Sequence, residues 1–108
     1  MINLFKNKEK KKFEDSRESI INAAVHLGVI HILEAANTFR SQQHLSEEAT
    51  VDIPQSIIKD YMTTTLAILV DDSGINAKKI GNLKLGKLVL DATSQVIAEL
   101  PENIKVQY

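Results

Sequence analysis

His31 and Glu34 stand three residues apart, close enough on one helical turn to ligate a single ion. Di-iron bundles use the opposite order, Glu-x-x-His, and repeat it on a second helix. Here the order is reversed and no second pair exists. The remaining acids that could join, Asp60 and Asp91, fall on the polar faces of their segments, so the ligand count fails and no metal site is expected. His26 is five residues from His31, about 140° away around a helix, which excludes the shared face of a zinc helix.

Nucleophilic chemistry fares no better. Ser19, Ser56, Ser73 and Ser94 all lack the Gly-x-Ser-x-Gly context of a strained nucleophile turn. The stretch from Gly81 to Gly86 has neither a Gly-x-Gly core nor a Gly-Lys-Ser/Thr ending, so it carries no phosphate cradle. Cysteine is absent, which removes disulfides, thiolate metal sites and thiol nucleophiles together. The reading is therefore non-enzymatic, with no catalytic residue and no cofactor, and a small enzyme ranks third among the functional alternatives.

Charge is more informative than any motif. Residues 1–12 hold five Lys against one Glu, residues 41–76 hold one Lys against six acids, and residues 77–90 hold four Lys and no acid. The chain nevertheless nets only -1. Such segregation favours directional contacts with a partner of opposite sign or with another copy. The basic patch comprises Lys6, Lys8, Lys10, Lys11, Lys12, Lys78, Lys79, Lys84 and Lys87. It contains Lys without Arg and little aromatic interleaving, so nucleic-acid binding is the alternative function and not the leading one. Met1, Ile2, Leu4 and Phe5 ahead of the lysines would make only a marginal membrane anchor.

The elements that position these groups follow from apolar spacing. With 108 residues, 44% hydrophobic and 25% charged, the chain has the composition of one globular domain. Asp15 and Glu18 have capping-box spacing, which starts a first helix near Ser16 and leaves residues 1–15 as a basic flexible arm ahead of a single helical domain over 16–108. From Ile21 to Phe39 an apolar arc of about 140° forms a core face, with Ala24 and Gly28 small enough for another helix to approach closely. The opposite side carries Ala23, Leu27, Ile30 and Leu33, so this helix has more apolar circumference than two companions can cover. Those four residues are the expected interface of a homodimer or a larger assembly.

A second helix, 53–71, begins with Asp52 and Gln55 in capping-box spacing and Pro54 in the first turn, and stops at the Asp71–Gly74 turn. Its apolar half contains Ile57, Ile58, Tyr61, Met62, Leu66, Ile68 and Leu69. A third, 76–99, has an irregular start near Gly81–Gly86 and must end before Pro101. The expected fold is all-α, a small three-helix antiparallel bundle. The tail alternates Ile104, Val106 and Tyr108 with polar residues, leaving room for a short C-terminal β element paired with residues near Leu83 and Leu85. Acids between the lysines and the apolar run argue against a secretory signal, and polar residues interrupt residues 19–39, so a cytoplasmic protein without membrane insertion is expected.

Overall fold

The computed structural model describes the backbone of residues 3–108 and the side chains from Lys11 onward. The chain is mostly helical, as its aliphatic periodicity predicts. Helix α1 spans Asn3–Gln42, α2 Gln55–Asp72, α3 Ala77–Ile80 and α4 Asn82–Glu99, with strands β1 at Val51–Pro54 and β2 at Ile104–Gln107. Helices α1, α2 and α4 pack against one another in all three pairings.

Helix α1 corrects the start expected near Ser16. Lys, Glu and Asn in its first turns include no breaker, so the helix runs back to Asn3 and Asp15 with Glu18 lies mid-helix, not at a cap. Phe13 is 1% exposed, so the core reaches inside the expected 1–15 arm. Lys6, Lys8 and Lys10 lie outside the described side chains; Lys11 and Lys12 are exposed. The buried face of α1 also moves. It passes from Phe13 and Ile20 through Ala24 and Gly28 to Ala36 and Arg40, roughly half a turn around the axis. Its neighbours change along its length, with α3 packing on it as well as α2, α4 and β1. Phe39 and Ala35, expected in the core arc, are consequently exposed.

Gly28 is buried where α1 meets both α2 and α4. A Cβ there would lie 2.5 Å from Met62 Cε of α2 and 2.9 Å from Val96 Cγ2 of α4. The expected close approach at Ala24 and Gly28 is thus made to two helices at once. Around it Ile58, Met62, Leu88, Ala92 and Val96 are wholly enclosed.

Two further boundaries differ from the sequence reading. Residues 51–54 are a strand, and α2 starts at Gln55 with Pro54 preceding it and no side-chain cap, because Val51 and Ile53 alternate inward with Asp52 and Pro54 outward. This strand, not the Leu83–Leu85 region, pairs with the C-terminal tail: β1 and β2 run parallel, Val51 opposite Ile104 and Ile53 opposite Val106. Leu83 and Leu85 belong to α4. The break expected near Gly81–Gly86 falls at Gly81, whose φ of 96° separates α3 from α4. Gly74, at φ 74°, closes the turn after α2 as expected, with Ile75 N–H donating to Val70 O.

Arg40 fastens the strand pair to α1. It is 5% exposed; its Nε donates to Ala49 O at 2.7 Å, and its Nη atoms donate to Asn37 Oδ1 and to Asn103 O. Among the described residues no carboxylate pairs with it, so neutral oxygens solvate a nearly buried cation. By length and composition, one segment among the described residues, Lys11–Gln42, qualifies to cross a bilayer.

Candidate functional site

The outward side of α1 is the place to build from. Positions 23, 27 and 30 recur at three- and four-residue spacing and so form one strip. Ala23 is exposed, and Leu27 and Ile30 keep 42% and 41% of their surface in solvent. Leu33, the fourth expected interface residue, is half-buried and packs on the core instead.

Helix α2 adds a second strip. Ile57, Tyr61 and Ile68 fall within about 40° of one another around its axis, and Ile57 and Ile68 are more than half exposed. Both were expected in the α2 core. A helix in contact with α1 on one side and α4 on the other buries the arc of Ile58, Met62, Thr65, Leu66 and Val70, which leaves one edge of its apolar half uncovered.

The two strips adjoin through His31 and Tyr61, whose rings stack with centroids 3.9 Å apart and planes 1° from parallel. His31 is therefore an aromatic surface contact next to Ile30. Beside the same helices a recess of about 140 Å³ is lined by Ile32, Phe39, Ile53 and Ile57. Exposed apolar side chains thus lie on two helices that the His31–Tyr61 stack joins. The sequence pointed to its α1 half through excess apolar circumference; the α2 half had the same signal, an apolar sector too wide for one contact.

The basic patch is only partly available. Lys84 is half-buried and pairs with Glu14 at 3.2 Å, and Lys12 Nζ donates to Gly74 O at 3.2 Å. Arg17 pairs with Asp91 across α1 and α4. Lys78, Lys79 and Lys87 are exposed. Among the described residues no group of three or more His, Asp or Glu converges on a metal-sized site.

A separate concavity lies between α2 and α4. Its volume is about 400 Å³, and Leu66, Ala67, Val70, Leu85, Gly86 and Val89 form most of its walls, with Lys59 at the end remote from α3. Among the described residues, the buried side-chain oxygens Thr93 Oγ1 and Asn103 Oδ1 have no hydrogen-bond partner, and neither residue lines this groove.

No protein-family profile, curated protein or solved structure matches the chain.

Proposed function

We propose that this chain is a non-catalytic helical interaction module that pairs with a second copy of itself through the α1–α2 apolar face. The carrying observation is that Leu27 and Ile30 on α1 stay about two-fifths exposed, and Ile57 and Ile68 on α2 more than half, on helices joined by the His31–Tyr61 stack. Sheltering exposed apolar side chains of this kind is a recurrent reason for helical domains to associate.

We read α1, α2 and α4 as a three-helix bundle running up, down and up. Gly28 against Met62 and His31 against Tyr61 support an antiparallel α1–α2 pair. Glu14 against Lys84 and Gly28 against Val96 support an α1–α4 pair that advances together. We also read α1 as the central helix of a cytoplasmic domain, not a membrane span. It packs against both α2 and α4, and its exposed His26, Glu34 and Asn37 would be costly in hydrocarbon.

Light scattering and sedimentation on the intact chain test the pairing. The unmodified protein is expected to have the mass of a dimer at tens of micromolar concentration, and Leu27→Glu with Ile30→Lys is expected to give a monomer with unchanged helicity. A monomeric parent, or a variant that stays dimeric, sinks the reading. The nucleic-acid alternative is weaker because Lys12 and Lys84 already have partners within the chain. A DNA titration in the same preparation, falling steeply with salt, is what it requires.

A further inference from the structure

Charge divides the molecule along its length. Residues 1–14 and 71–87 hold nine lysines against four acids, whereas residues 34–60 and 99–108 hold three bases against seven acids. The fold gathers the first two segments at one end: Lys12 Nζ donates to Gly74 O, Lys84 pairs with Glu14, and α3 packs on α1. It gathers the other two at the opposite end, where Arg40 donates to Ala49 O and Asn103 O and β1 pairs with β2. A chain that nets only -1 is thus basic where α1 begins and acidic where α1 finishes. Among the described residues the ion pairs are Arg17–Asp91 and Lys84–Glu14. Lys11, Lys78 and Lys79 at one end, and Glu47, Glu48 and Asp52 at the other, are exposed and pair with no opposite charge.

Contact through Leu27 and Ile30 decides how these ends can meet. A two-fold axis parallel to α1 sets basic end on basic end and acidic end on acidic end. An axis perpendicular to α1 sets Leu27 of one copy opposite Ile30 of the other, and the same count brings Lys11 and Lys12 to the level of the second copy's Leu45 and Ser46. That level is the 44–49 loop, which the Leu45 N–H fastens to Arg40 O and which carries Glu47 and Glu48. Beyond Lys11 the α1 backbone continues to Asn3, so the segment holding Lys6, Lys8 and Lys10 runs past the same loop.

We propose that the two copies lie antiparallel, with the lysine-bearing start of α1 in each docked on the acidic 44–49 loop of the other. This inference rests on the self-pairing reading and adds a second, reciprocal contact to it. The apolar contact at mid-helix supplies shelter from water; the two charged contacts set direction and register, because the parallel arrangement juxtaposes like charges at both ends.

Cysteine is absent, so introduced thiols are unique. Within one chain, positions 11 and 47 lie about 40 Å apart along α1, far beyond the span of a short bismaleimide. Mixing Lys11→Cys with Glu47→Cys should therefore give covalent dimer, while either variant alone gives little. Glu47→Lys with Glu48→Lys should weaken the dimer roughly ten-fold at low salt, with the difference vanishing as salt screens the ends. Product from either thiol variant alone, no product from the mixture, masses above a dimer, or an unweakened charge-reversed dimer each overturns the antiparallel docking. So does a dimer that still binds phosphatidylserine vesicles or a DNA duplex through Lys11, since its basic ends would be free. None of these results touches the apolar contact, which Leu27→Glu with Ile30→Lys tests by itself; a monomeric parent removes both.

Discussion

Gly28 and Gly86 are the same residue type in the same kind of helix, and their surroundings give them opposite roles. Alanine at 28 would gain the ordinary helix preference over glycine, about 1 kcal/mol, but its Cβ would press on Val96 as well as on the more yielding Met62. Overpacking of a tight core costs roughly 1–3 kcal/mol. Gly28→Ala should therefore lower stability by up to about 2 kcal/mol, whereas Gly86→Ala, whose Cβ meets open space, should raise it by about 0.5–1 kcal/mol. Urea denaturation of the two variants checks both signs; a stabilised Gly28→Ala would mean that the three helices are less closely packed than the distances imply.

The strand pair shows why elements were unequally legible. Long amphipathic stretches such as α2 and the second half of α4 declare themselves by repetition, and the Gly74 turn and the break at Gly81 follow from backbone sterics alone. Strand β1 offers only Val51 and Ile53, and its Asp52 and Pro54 also satisfy a helix-start pattern. What decides between them is β2, whose Ile104 and Val106 lie opposite those two residues from the far end of the chain. The apolar face on α1 was legible as surplus circumference, but the groove was not, since it exists only where α2 and α4 meet. A two-stranded sheet is marginal by itself, and Arg40 holds this one to α1 through Ala49 and Asn103. Arg40→Met keeps the aliphatic stem but leaves those carbonyls without the guanidinium, at a cost of about 2–3 kcal/mol. Hydrogen exchange should register the loss first at Val51 N–H, which donates to Asn103 O, and in the β2 amides, while amides in the middle of α2 and α4 exchange only with global unfolding. Uniform acceleration across the chain would show that the strand pair is not a separately opening unit.

At the scale of the whole molecule, shape constrains assembly. The radius of gyration is 16.5 Å, against about 13 Å for a compact domain of this length. The chain measures 62 × 23 × 18 Å because α1, at 40 residues, is more than twice as long as α2 or α4, at 18 residues each. Ala23, Leu27 and Ile30 lie near the middle of α1, not at either end. A two-fold axis through them places the copies side by side, so pairing should thicken the particle while its longest dimension stays well below twice 62 Å. Contact through the ends of α1 would instead nearly double the length. Small-angle scattering at a concentration where the mass is that of a dimer distinguishes these shapes directly. A maximum dimension close to double the single-chain length would place the contact at the helix ends and remove Leu27 and Ile30 from the interface, even with the dimeric mass intact.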